Sequence, residues 1–152
     1  MSILAALLAL AGLANALYFT FAYYGRIKGA RWLPAILCAP EGANCVTVLQ
    51  TPYAHVFGLP NSLLGILYYL GALFWAGTGF GLMSPVMFAR FTDALLVIAL
   101  GTLVLGFYLI YALRRKLRLH CPMCYAAHFI NCALMIIFLV RSRAGSAWIA
   151  GH

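Results

Sequence analysis

Four apolar stretches, each about as long as the hydrocarbon core of a bilayer is thick, constrain this chain more than any other feature. They run over about 2–24, 59–80, 91–113 and 121–140. Only 8 % of the 152 residues are charged, against about 25 % in soluble domains. Because backbone groups in lipid must be hydrogen-bonded within the protein, the stretches predict an all-α integral membrane four-helix bundle. We expect one multi-pass domain, 1–152, in a cell membrane.

The longest segment between two apolar stretches is the loop 25–58, which is punctuated by glycine and proline. It contains Cys38 and Cys45. From 46 to 56 apolar and polar residues mix, which predicts a short helix lying on the membrane surface. The segment 81–90 is predicted to be a short turn.

Cys121 and Cys124 form a C-x-x-C pair at the start of the fourth stretch. Pro122 suits the first helical position, which places Cys121 at the helix cap. Unpaired N–H groups and the positive end of the helix dipole then face its sulfur and favour the thiolate. Two thiols at this spacing allow one to attack a disulfide and the other to resolve it. The motif therefore predicts a redox or metal-binding pair, with two merely buried cysteines as the plain alternative.

Four spans would place the loop 25–58 and the segment 114–120 on the same side of the membrane. Cys38 and Cys45 would then share a membrane face with Cys121 and Cys124, so that the two pairs could exchange disulfides. The loop pair either relays electrons in this way or staples its own loop. Cys132 stands alone in mid-helix and is interpreted as a small apolar residue.

Two polar side chains within the spans are candidates for binding a ligand. Asn61 follows Pro60 at the start of the second span, and is either a helix cap or a hydrogen-bond donor to a ligand. His128 lies four residues after Cys124, on the helix face that also carries Asn131. Ionisable groups inside a membrane are functional candidates, although a lone histidine can also bond a neighbouring helix.

The net charge of +8 does not indicate a nucleic-acid partner, because the positive residues flank the apolar stretches as topology signals do. A soft-metal-ion carrier is an alternative function, with ligands drawn from Cys38, Cys45, Cys124 and His128. The six residues between the loop cysteines are a wide spacing for structural zinc, so the preferred interpretation has no metal. A structural membrane protein with a stapled loop is a third interpretation.

Three motifs in this order resemble the vitamin K epoxide reductase family. They are Cys38-x6-Cys45, the run Phe-Gly-Leu-Pro-Asn-Ser-Leu-Leu-Gly over 57–65, and Cys121-Pro122-Met123-Cys124 at the start of the fourth helix. The resemblance covers about residues 10 to 140. It implies a four-helix bundle around a quinone, such as menaquinone or ubiquinone, in which loop cysteines relay electrons to the C-x-x-C pair.

The resemblance also implies a role for each cysteine. Cys124 would be the sulfur nearest the quinone, Cys121 would exchange with Cys45, and Cys38 would meet the outside partner. Asn61 would hydrogen-bond a quinone carbonyl.

Two departures from relatives bear on the activity. His128 stands where animal members have a tyrosine, and this difference favours a quinone contact over epoxide reduction. No thioredoxin-like domain follows the fourth span, unlike in many bacterial relatives, so a separate thioredoxin-like dithiol protein is the expected partner. The predicted function is a quinone-dependent thiol–disulfide oxidoreductase that forms protein disulfides.

Charge placement predicts which way the bundle faces. Positive residues near span ends mark the cytoplasmic side. The opposite face carries Arg90, Arg141 and Arg143. The cysteine-bearing face carries seven: Arg26, Lys28, Arg31, Arg114, Arg115, Lys116 and Arg118. Both cysteine pairs are therefore predicted on the cytoplasmic face, inverted relative to relatives that oxidise exported proteins, with the outer face as the alternative.

Overall fold

The computed structural model describes residues 2–25, 51–52, 55–56, 58–78, 82–118 and 121–150. Cys38 and Cys45 lie outside these residues, as does the section 46–50 of the predicted surface helix.

Four α-helices make up most of the described chain. They are α1 (Ser2–Tyr23), α2 (Asn61–Thr78), α3 (Pro85–Tyr111) and α4 (Pro122–Ala150). A π-helix, Ala112–Leu117, continues α3. The helix α1 packs mainly on α2 and α4, and α3 packs on the same two helices, so that α2 and α4 stand at opposite corners of a closed ring. The predicted all-α membrane bundle is confirmed.

Three helical segments are long and apolar enough to cross a membrane: Ser2–Tyr23, Pro85–Lys116 and Pro122–Arg143. The chain is thus a multi-pass membrane protein. The helix α2 is not among the three, because Asn61, Ser62 and two tyrosines lower its hydropathy. Its 18 residues still extend about 27 Å at a rise of about 1.5 Å per residue. The second predicted span exists as a helix, and its crossing of the membrane stays a prediction.

The predicted turn at 81–90 is wrong for its second half, because α3 already begins at Pro85. Ser84 has extended backbone angles, φ −63° and ψ 149°, and its hydroxyl accepts a hydrogen bond from the Met87 N–H. A serine cap followed by proline is a strong helix start. The Ser-Pro pair is therefore the sequence signal that places this helix end earlier than the apolar stretch does.

The predicted surface helix is also wrong at its described end. Strand β1 (His55–Val56) pairs antiparallel with strand β2 (Leu59–Pro60), and the two strands of two residues each form a short hairpin. Gly58 has φ 78°, a left-handed conformation that glycine adopts without steric cost and that this tight turn requires. The hairpin leads directly into α2.

The end of the bundle far from the cysteine motif is apolar and closely packed. Trp75 stacks on Phe88 and meets Phe138 edge to face, and its indole N–H donates to the Thr92 hydroxyl at 2.7 Å. Side chains of α2, α3 and α4 thus form an apolar core at this end of the bundle, and Ala5 and Ala9 of α1 are completely buried in it. Leu134 and Ala99 are completely buried in the same core.

Candidate site at the start of the fourth helix

The C-x-x-C pair forms the first turn of α4. The carbonyl of Cys121 accepts hydrogen bonds from the N–H groups of Cys124 (3.0 Å) and Tyr125 (3.2 Å), and Pro122 is the first helical residue. Cys121 is completely buried and Cys124 is half-buried. Their sulfur atoms lie 2.7 Å apart, whereas a disulfide bond measures about 2.05 Å. The two sulfurs are therefore close enough to form a disulfide once an acceptor removes two electrons and two protons from the pair.

A buried asparagine of α1 binds the backbone of this motif. The side-chain amide of Asn15 donates to the carbonyl oxygen of Met123 at 3.0 Å. From the sequence alone Asn15 is only an interruption of an apolar span, so its role was missed. The available signal was physical, since a polar side chain within a span must find a partner inside the bundle.

The start of α2 lies at the same end of the bundle as the start of α4. The hydroxyls of Thr20 in α1 and Ser62 in α2 are 3.0 Å apart and hydrogen-bonded. Thr20 is five residues after Asn15, about 7.5 Å along the helix. The same half of α1 therefore contacts the first turns of both helices, and half-buried Asn61 lies on the first turn of α2.

A hydrogen bond between the opposite helices α2 and α4 marks the lower end of the candidate site. The Tyr69 hydroxyl of α2 donates to Oδ1 of Asn131 in α4 at 2.7 Å. Any side chain at Gly12 would overlap the Tyr69 ring, so this glycine makes room for the ring against α1. Asn61 precedes Tyr69 by eight residues and Cys124 precedes Asn131 by seven. The helix rise therefore puts Asn61 and Cys124 at similar heights, each about 11 Å above this bond.

Between those two levels lies His128, one helical turn below Cys124. Its ring packs against Gly106 of α3, where an added Cβ would stand 2.6 Å from Nδ1. Among the described residues, three buried polar atoms have no hydrogen-bond partner: His128 Nδ1, Asn15 Oδ1 and the Tyr68 hydroxyl. Buried polar groups are normally satisfied by protein, water or a ligand. These three atoms are therefore candidates for hydrogen bonds to water or to a ligand.

The sequence of the chain is similar to that of one known protein family. The chain matches the model of the vitamin K epoxide reductase family over residues 3–139. The chain belongs to the vitamin K epoxide reductase family. Membership indicates a membrane thiol–disulfide oxidoreductase, in a family whose members generally use quinone-type electron partners. None of the curated proteins compared with the chain matches it.

In this family member, the first turn of α4 contacts the basic end of α3. The Arg114 side chain donates from Nε to the Tyr125 hydroxyl at 3.4 Å, and its guanidinium lies 5.7 Å from the centre of that ring. Arg118 follows in a left-handed conformation with φ 51° and ends the π-helix. The segment 114–120, predicted to connect the third and fourth spans, is therefore helical over 114–117.

The described residues bring together only part of the predicted site. Cys121 and Cys124 are adjacent, His128 lies one turn below Cys124, and Asn61 lies at a matching height on α2. Cys132 is half-buried further along α4. The described part of the chain has no cluster of three or more metal-ligating side chains, and the metal-carrier hypothesis also needs Cys38 and Cys45, which lie outside it.

Proposed function

We propose that this protein oxidises the dithiol of a thioredoxin-like protein and passes the electrons to a membrane quinone, so that protein disulfides are formed. The observation that carries the proposal is the C-x-x-C pair itself, with its sulfurs 2.7 Å apart at the buried start of α4. Directly below it, a buried histidine nitrogen has no partner among the described residues. A redox pair beside unsatisfied polar atoms inside a membrane suits an electron acceptor that dissolves in lipid.

The chain's own residues account for the thiol chemistry. Cys121 and Cys124 together lose two electrons and two protons and become a disulfide. When bound, a quinone supplies the acceptor for those two electrons and two protons. The thiol of Cys45 then attacks Cys121, and Cys38 resolves the resulting mixed disulfide, so that the Cys121–Cys124 dithiol is restored. The partner protein reduces the Cys38–Cys45 disulfide and is itself oxidised.

Asn61 and His128 fit the role of holding the quinone. Asn61 has an amide that can donate to a carbonyl oxygen, and it lies at the height of Cys124. His128 has an imidazole that can donate or accept a hydrogen bond, and its Nδ1, which faces Gly106, has no partner among the described residues. Its packing against Gly106 orients the ring. These two side chains would hold the ring near the Cys124 sulfur and keep water out, while the Tyr69–Asn131 bond closes the site from below.

The replacements Asn61→Ala and His128→Ala test this assignment. Each replacement removes one hydrogen bond to the quinone, which contributes about 0.5–1.5 kcal/mol. We therefore expect the KM for the quinone to rise, or the turnover to fall, by about threefold to tenfold. The measurement is quinone reduction by the purified protein with a small dithiol as electron donor.

Phe129→Ala is the matched control for the histidine, because Phe129 is the next residue of α4 and its side chain is 74 % exposed on the outside of the bundle. It should leave both kinetic constants unchanged. Unaltered kinetics in Asn61→Ala and His128→Ala would return these residues to structural roles, a helix cap and a helix contact.

We further propose that the cysteine face is cytoplasmic. Arg114, Arg115 and Lys116 are exposed at the end of α3 that meets the start of α4. This charge bias supports the inverted orientation. Disulfide formation in a cytosol suits cells such as hyperthermophiles, whose intracellular proteins are rich in disulfides.

A thiol reagent that cannot cross membranes tests the orientation in sealed intact cells. We expect Cys38 to stay unlabelled until the cells are opened. Efficient labelling of Cys38 from outside would instead place the cysteine face outside, as in relatives that oxidise exported proteins.

A further inference from the structure

Asn15 joins α1 to the cysteine motif of α4. We propose that Asn15 is a positioning residue, which fixes the first turn of α4 and so sets the spacing of the Cys121 and Cys124 sulfurs. The inference rests on the proposed redox function of this pair and adds to it a residue outside the motifs of the chain.

The direction of the hydrogen bond follows from its acceptor. A carbonyl oxygen can only accept, so the Asn15 amide nitrogen must face Met123, at 3.0 Å. Met123 stands between the two cysteines, so the bond acts on the backbone of the motif itself. The first turn of a helix is where the backbone frays most easily. A restraint from a neighbouring helix therefore has its largest effect at this turn.

The surroundings of Asn15 indicate that the N–H group of its side-chain amide is the part with a structural role. Asn15 is 8 % exposed, and the buried positions that precede it in α1, which are Ala5, Ala9 and Gly12, are small and apolar. Its Oδ1 is buried with no partner among the described residues, which is unfavourable. The amide nitrogen, by contrast, has a well-placed acceptor in the motif.

A fixed first turn favours the disulfide over the dithiol. Holding two thiols in one geometry raises their effective concentration relative to each other. Without the bond from Asn15, the turn samples more conformations and the sulfurs spend less time close together. The Cys121–Cys124 disulfide should then form less readily, and electron delivery to the quinone should slow.

The test compares Asn15→Leu with the natural protein in a buffer of reduced and oxidised small dithiol. The redox state of Cys121 and Cys124 is measured by alkylating the free thiols and determining the mass of the peptide that contains both cysteines by mass spectrometry. We expect the equilibrium constant for forming this disulfide to fall about threefold to tenfold, the effect of losing one hydrogen bond. In the quinone assay kcat should fall while KM for the quinone stays the same. Asn15→Ala is the second variant, since alanine already occupies neighbouring buried positions, and it should behave alike.

Thr92→Val is the matched control, because it removes another buried hydrogen bond between helices, from the Trp75 indole, at the far end of the bundle. It should lower the midpoint of thermal unfolding and leave the disulfide equilibrium unchanged. An unchanged equilibrium in both Asn15 variants, or an equal fall in Thr92→Val, would overturn the proposal. A rise in KM with unchanged kcat would do so too, by making Asn15 a quinone ligand. The equilibrium measurement needs no quinone, so its outcome is independent of whether the quinone reaction occurs.

Discussion

Cys124→Ser is expected to abolish quinone reduction with every electron donor. A serine hydroxyl cannot form a disulfide with Cys121, so the pair can no longer lose two electrons. Serine has nearly the same volume as cysteine, so the packing should change little. Quinone consumption by the purified variant, supplied with a small dithiol, is the measurement. The fold should survive, because the first turn of α4 is held by backbone bonds and by Asn15 rather than by the Cys124 sulfur.

Cys132→Ser is the matched control for this replacement. Cys132 is also a half-buried cysteine of α4, eight residues further along the helix. We expect it to keep its quinone turnover, since the mechanism gives it no electrons to carry. Turnover near that of the natural protein in Cys124→Ser would mean that the electrons take another route, and the proposed chemistry would be wrong.

Cys45→Ser is expected to have an equally large but selective effect. It should stop oxidation of a thioredoxin-like protein, because the exchange with Cys121 loses its nucleophile. It should spare quinone reduction driven by a small membrane-permeable dithiol, which can reach the C-x-x-C pair directly. Cys121→Ser should stop oxidation of the protein partner as well.

The selectivity of Cys45→Ser separates a relay from a staple. Both activities are measured in the same preparation, so that loss of folded protein would lower them together. If Cys38→Ser and Cys45→Ser both oxidise the protein partner at the normal rate, the loop pair only staples its loop and the relay order is wrong.

The sequence predicts the bundle well because one physical constraint governs it. Apolar stretches of bilayer length must become helices, and the charged residues between them must lie at the membrane surfaces. The start of α4 also follows from local chemistry, since Pro122 is favoured at a first helical position. The capping residue Ser84 and the turn at Gly58 are equally local signals. A prediction based on apolar and polar patterns ignores them, and it therefore misses the start of α3 and the hairpin.

The interior of the candidate site is harder to predict, because it depends on contacts between distant parts of the chain. Asn15 and Met123 are 108 residues apart in sequence, and Tyr69 meets Asn131 across the ring. A single sequence shows that these residues are polar or aromatic within spans. It does not show which of the four helices are neighbours, and that order decides every partner.

The most direct test of the account is quinone reduction by the purified protein in lipid, with a reduced thioredoxin-like protein as the donor. Loss of quinone absorbance and the appearance of oxidised donor are followed together. We expect one donor disulfide to form for each quinone reduced, and Cys124→Ser to show neither change. Oxidation of the donor without quinone loss, or no quinone loss at all with the folded natural protein, would contradict the proposed function.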